Sequence, residues 1–186
     1  NVVIVRYADN IVVGCDKPDD AKRFNRAMQV RLEQFALKVH PEKTRLIEFG
    51  RFAAENREKR GLGKPETFNF LGFTHISGSA RDGRFMLRRK TRRDRMCAAL
   101  KAIKEELRRR WHHSIPEQGK WLRQVVQGYF NYHSVPTNSS AMFAFRAHVT
   151  DLWRRALRRR SQQDDTTWVK MNRLAKAWLP PVQILH

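Results

Sequence analysis

Two β-branched runs, Val2-Val3-Ile4-Val5 and Ile11-Val12-Val13, open the chain. Tyr7-Ala8-Asp9-Asn10 lies between them at hairpin spacing, with turn-tolerant Asp and Asn at the tip. Lys17-Pro18-Asp19-Asp20 then predicts a helix start, with Pro in the first turn and acids near the positive end of the dipole. Phe24, Ala27, Met28, Leu32 and Phe35 share one face of that helix. His40-Pro41 breaks it, and residues 44–49 read as a strand. Residues 51–66, charged and glycine-containing, read as a loop. Phe68-Asn69-Phe70-Leu71-Gly72-Phe73 alternates like a strand, Arg81-Asp82-Gly83 is a turn signal, and residues 84–88 return as a partner strand.

After Lys90 the texture becomes helical, and a domain boundary is placed there. Thr91-Arg92-Arg93-Asp94 resembles a capping box. Met96, Leu100, Ile103, Leu107 and Trp111 form one helical stripe. Pro116 begins a second helix carrying Trp121, Leu122, Val125, Val126, Tyr129 and Phe130. Val135-Pro136-Thr137-Asn138 reads as a linker ending in a good N-cap, before a third helix with Met142, Phe145, Val149, Leu152, Trp153 and Ala156. A shorter fourth helix spans residues 167–178. The fold class is therefore α+β: a mixed segment over 1–90, then an all-α bundle over 91–186.

Charge sharpens this picture. Lys and Arg number 38 against 18 Asp and Glu, a net +20. Such an excess implies a polyanionic partner, with nucleic acid first and an anionic membrane surface as the alternative. No stretch approaches the roughly 18 apolar residues of a membrane-crossing helix, so a soluble protein is expected. Nothing at the start resembles a signal peptide. The chain opens without Met into an apolar run, as though inside a larger fold. Cys15 and Cys97 are far apart and read as small buried hydrophobes in a reducing compartment.

Residues 88–110 hold eleven cations against three acids, a net +8. They include Arg88, Arg89, Lys90, Arg92, Arg93, Arg108, Arg109 and Arg110. A second cluster, Arg154-Arg155 and Arg158-Arg159-Arg160, closes the third helix, where cations also favour the helix C-terminus. Paired cations on two helices suit a phosphate backbone and fix position rather than sequence. Of Trp111, Trp121, Tyr129, Tyr132, Trp153, Trp168 and Trp178, about five are expected in the core by periodicity.

Asp9 is the candidate for chemistry. A carboxylate at a tight turn between two buried strands is rigid and exposed, as a divalent metal requires. Asp9-Asn10 is also simply a good turn pair. The neighbourhood, however, resembles a known family. Arg6-Tyr7-Ala8-Asp9-Asn10 is similar to the Tyr-Ala-Asp-Asp box of reverse transcriptases. His40-Pro41-Glu42-Lys43-Thr44 resembles the motif that follows the palm helix, and Phe68 to Phe73 resembles the primer-grip hairpin. Gln124 to Tyr132, with Trp168 and Trp178-Leu179-Pro180, resembles the maturase-specific region of group II intron reverse transcriptases.

The resemblance implies part of a right-hand polymerase: palm strands at 1–50, primer grip at 68–88 and thumb at 92–160. It implies that Asp9 binds a catalytic magnesium ion, with Asn10 beside it, and that Tyr7 lies under the primer–template end. Lys43 would sit near the incoming triphosphate, although an exposed strand-end cation explains it as well. Phe70, Leu71 and Gly72 would hold the primer backbone. Implied partners are structured intron RNA, an RNA/DNA primer–template and a fingers/palm half, in the bacterial cytoplasm and without a membrane. Two departures stand out. Asn10 occupies the place of a second Asp, which weakens the metal field, and no other palm carboxylate is recognisable. Polymerase activity is not expected of this polypeptide alone. A non-catalytic RNA-binding maturase segment and an inactive relic remain alternatives.

Overall fold

The computed structural model describes residues 1–160 and 166–184; the predicted helical domain 91–186 therefore includes seven positions outside the described residues. It is mixed α+β, with two small antiparallel sheets and six helices among the described residues.

Strands β1 (Val2–Tyr7) and β2 (Asn10–Cys15) pair in register from Val2↔Cys15 to Tyr7↔Asn10. Helix α1 (Pro18–Glu33) begins at its Pro and lies against β2. The expectation of two buried strands is corrected here. Val2, Val3, Ile4 and Val5 are 45–62% exposed, because α1 covers only part of β2 and no described element covers β1. Phe24, Met28 and Leu32 are half-buried, whereas Phe35 is exposed with the Arg31 guanidinium 4.8 Å over its ring.

Residues 44–49 form no strand. Their backbone joins no ladder, and they are held by side chains instead: Arg45 pairs with Glu66, Glu48 with Arg60, and Phe49 packs edge-on to Phe68. Nor is 51–66 all loop, since Ala53–Lys59 is helix α2. Its alanines and charged residues are good helix formers, Glu55 and Lys59 pair one turn apart, and Ala53 is 3% exposed.

The segment Phe68 to Phe73 is not one strand but a tight hairpin. β3 (Phe68–Phe70) turns at Leu71-Gly72 into β4 (Phe73–Ser79), which pairs with β5 (Phe85–Thr91). Leu71 and Gly72 have φ of 47° and 75°, the left-handed pair that a two-residue hairpin turn demands.

Helices α3 (Arg93–Arg109), α4 (Ile115–His133), α5 (Ser139–Arg158) and α6 (Trp168–Trp178) form the bundle. Thr91 does not cap α3; it is the buried last residue of β5, and Arg92 holds the cap position without a side-chain capping bond. The capping box lies at Ser114 and Glu117 of α4, which exchange side-chain and backbone bonds. Asn138 precedes α5 but caps nothing with its side chain, which is engaged elsewhere. The starts of α3 and α5 meet through Thr91 and Asn138, and their ends through Arg160, which donates to the His113 carbonyl. The two helices therefore run parallel and pack directly on each other, with α4 as the return connection in the chain.

The core is built from Leu122, Val126, Phe130, Met142, Phe145, Val149, Trp153, Leu157 and Met171, with Ile103 and Leu107 from α3. Trp153 Nε1 donates to Gln118 Oε1 at 2.9 Å, and Gln118 Nε2 donates to the Arg110 carbonyl at 2.7 Å, so this buried polar pair is satisfied. Trp111 lies beyond the end of α3, so it leaves the stripe and is 40% exposed. Tyr132 and Trp168 are exposed too; Trp153 is buried, and Trp121, Tyr129 and Trp178 pack against the core. That is four of the seven aromatics rather than five. Cys97 is exposed on the outer face of α3 and Cys15 is half-buried, so neither is a core residue. No helix among the described residues is long and apolar enough to cross a membrane.

Candidate nucleic-acid interface

The tip of the first hairpin is a two-residue turn, Ala8-Asp9, closed by the Tyr7↔Asn10 pair. Ala8 takes a left-handed φ of 53°, a conformation that costs a non-glycine residue energy. Asn10 Nδ2 donates to Asp9 Oδ1 at 3.1 Å, and Arg6 Nε donates to the Ala8 carbonyl at 3.0 Å, which sets a cation beside the tip. Tyr7, Asp9 and Asn10 are all exposed. Among the described residues no three His, Cys, Asp or Glu side chains converge on one point. The donors at the tip are one carboxylate and one amide, short of the oxygen set that fixes a magnesium ion.

Lys43 follows a turn in which the His40 carbonyl accepts from Lys43 N and Thr44 N. Its side chain is exposed, and no bond joins it to Asp9. Among the described residues, no hydrogen bond, ion pair or ring contact links residues 1–43 to the helical bundle.

The Leu71-Gly72 turn is held by the bundle. Tyr132 Oη donates to the Leu71 carbonyl at 2.9 Å, the Tyr132 ring stacks on Phe73 at 5.9 Å, and Arg92 N donates to the Gly72 carbonyl at 3.0 Å. A Cβ at Gly72 would stand 3.5 Å from the Tyr132 ring. Phe70, Leu71 and Gly72 thus form a rigid corner set by α4, a role for Tyr132 that its place in an aromatic run did not disclose.

The cations separate into anchored and unpartnered groups. Arg88 Nη2 donates to the Ser79 carbonyl while its side chain lies over Gly78. Arg89 stands opposite His75 across the strands, and Arg89 Nε and His75 Nδ1 are buried without partners. Burial, assisted by Arg89, pushes the His75 pKa down; burial also lowers that of His133, which stacks on Tyr129. Arg92 pairs with Asp94, Arg109 and Arg110 with Glu106, and Arg155 with Asp151. Arg154 donates to the Thr166 carbonyl and lies 4.5 Å over the Trp168 ring.

Among the described residues Arg93, Lys101, Lys104 and Arg108 have no such partner, and they fall at helical spacing on one outer face of α3. Lys101 and Lys104 belong to this row as fully as the two arginines do. The helix is 17 residues long, so the row spans about 22 Å of its roughly 25 Å. At one end lie Lys90 and the turn at Leu71-Gly72. At the other, the Arg160–His113 bond brings unpartnered Arg158 and Arg159 next to the end of α3. The ends of two clusters distant in sequence thus meet.

Arg123 and Arg146 are basic residues of another kind. Arg123 donates to the Ala177 and Trp178 carbonyls, and Arg146 to those of Ala175 and Pro180, so together they hold the C-terminus of α6. Burial lowers the Arg146 pKa.

Residues 1–75 match the family model of the reverse transcriptase (RNA-dependent DNA polymerase). The matched stretch includes the Ala8-Asp9 tip, Lys43 and the Leu71-Gly72 turn, and it supports a reverse transcriptase domain in this part of the chain. A domain of that class acts on nucleic acid, which agrees with the charge. No curated protein matches the chain.

Proposed function

We propose that this chain is the palm-end and thumb portion of a group II intron type reverse transcriptase/maturase, and that it clamps structured RNA and a primer–template duplex. Residues 1–90 would serve as palm and primer grip, and 91–186 as thumb. The observation that carries the reading is the row Arg93, Lys101, Lys104 and Arg108: four cations without ion-pair partners on one helix face, continuous with the turn at Leu71-Gly72. Unpaired cations at this spacing track a phosphate backbone and give affinity without sequence readout. The match over residues 1–75 supports the polymerase side of the reading.

Asp9 would offer magnesium a single ligand position, so the ion would be held weakly. Asp9→Ala should abolish whatever magnesium binding a titration detects. The experiment for the clamp is a mobility shift with a folded group II intron RNA and with an unrelated folded RNA of equal length. Reversing the charge at Lys101, Lys104 and Arg108 should abolish both shifts while the helical circular dichroism stays unchanged. Tighter binding of the intron RNA supports the maturase assignment; undiminished binding by the reversed variant contradicts the clamp.

A further inference from the structure

We propose that Trp111, in the turn between α3 and α4, is a stacking platform for one unpaired base of the bound RNA. The proposal rests on the nucleic-acid reading above and extends it from the phosphates to the bases.

The other four tryptophans have their rings covered. Trp153 lies in the core, and Trp121, Trp168 and Trp178 each carry a guanidinium over the ring, from Arg110 at 5.0 Å, Arg154 at 4.5 Å and Arg123 at 6.0 Å. Trp111 has neither kind of cover and is 40% exposed. Its ring contact among the described residues is with His112, its chain neighbour, at 6.2 Å and 42°, too tilted to cover a face.

The turn that carries this ring is fixed. The Arg110 carbonyl accepts from Gln118 Nε2 at 2.7 Å, and the His113 carbonyl accepts from Arg160. Gln118 is itself fully buried and bonded to Trp153 at 2.9 Å. The position of Trp111 is thus set by the core, and a ring held in place stacks without the ordering entropy that a loose loop would lose.

Charge identifies the occupant. Arg108, at the end of α3, stands three residues before Trp111, and the Arg160–His113 bond brings exposed Arg158 and Arg159 to the same end of the bundle. None of the three has an ion-pair partner among the described residues. Unpaired arginines beside an apolar ring disfavour a second copy of a chain with net charge +20. They suit a ligand that joins flat apolar faces to negative charge, as single-stranded RNA does. Bases inside a duplex have both faces stacked already, so the occupant is an unpaired base. Stacking reads no base edge, so any base serves.

The test uses the whole chain with oligouridylate, whose bases are poorly stacked in the free strand, and an abasic ribose–phosphate oligomer of the same length, about eight units. Both carry the same phosphates, so the arginines and the α3 row pull equally on each. The uridylate should bind about tenfold more tightly, the worth of one stacked base. Trp111→Ala, at an exposed turn outside the core, should bring the two affinities to near parity, with the abasic affinity and the salt dependence unchanged. Trp111→Phe should keep most of the difference while losing the indole fluorescence quenching that the uridylate causes. Equal affinities of the unaltered protein for both oligomers would overturn the platform and leave the clamp standing. Equal weakening of both by Trp111→Ala would make the residue a prop for the turn and overturn the platform. Failure to bind either oligomer or any folded RNA would overturn the clamp itself. A concentration-dependent dimer dispersed by Trp111→Ala would assign the ring to a second copy and overturn the base reading.

Discussion

The carboxamide of Asn138 grips Thr91 twice: its Oδ1 accepts the Thr91 backbone N–H at 2.9 Å, and its Nδ2 donates to Thr91 Oγ1 at 2.8 Å. The same Nδ2 donates to the His133 carbonyl at 2.9 Å. One residue earlier, Thr137 Oγ1 accepts from Arg89 N at 2.8 Å, and Thr137 takes a φ of 73°, costly for a β-branched side chain. The α4–α5 connection thus serves the edge of β5 as a strand substitute and fixes the sheet to the bundle.

Replacing Asn138 with Ala should therefore cost about 1–3 kcal/mol, because the buried Thr91 N–H is left without a partner while Thr91 Oγ1 loses its donor. Denaturant unfolding of the variant measures the loss. A change below about 0.5 kcal/mol would mean that this tie does not hold the two parts together.

Two glycines of α4 should respond in opposite directions. A Cβ at Gly119 would stand 2.4 Å from the Trp178 ring, so Gly119→Ala must displace α6 and should destabilise by about 1–3 kcal/mol. A Cβ at Gly128 meets nothing within 4 Å, so Gly128→Ala should gain about 0.5–1 kcal/mol from helix propensity alone. Paired melting curves test both at once, and equal signs would contradict the packing of α6 on α4.

His75 and His133 both have folded pKa values below the ordinary 6.5, chiefly through burial. As pH falls below 6.5 the unfolded chain takes up protons that the folded chain resists, so stability declines on acidification. Unfolding free energy should be lower at pH 5 than at pH 7. In the His75→Gln/His133→Gln variant the difference between the two pH values should shrink.

Much of this was legible in one dimension. Helix faces at a spacing of three and four residues located α1 and α3–α6. The first hairpin was placed as well, but its turn is Ala8-Asp9 rather than Asp9-Asn10, because Asn10 already pairs with Tyr7 as the first residue of β2. What failed had physical causes. Helix α2 rests on propensity and one i,i+4 ion pair rather than on an apolar stripe, so its charges read as loop. Residues 44–49 read as a strand but are held by Arg45–Glu66 and Phe49–Phe68 contacts that no local pattern encodes. Trp111 continued the stripe in sequence, but α3 ends before it. Asn138 looked like a cap because its partner Thr91 lies 47 residues away. Of the interface, two basic clusters could be read in one dimension; that α3 and α5 run parallel, so that the ends of the clusters meet, is a property of the packing.

The salt dependence of RNA binding tests the central claim most directly. Four phosphate contacts along α3 require a log–log slope of about −3 or steeper, and Lys101→Ala/Lys104→Ala should make it shallower by about 1.5–2 with the fold intact. A slope near zero, or one that the double variant leaves unchanged, would contradict the account.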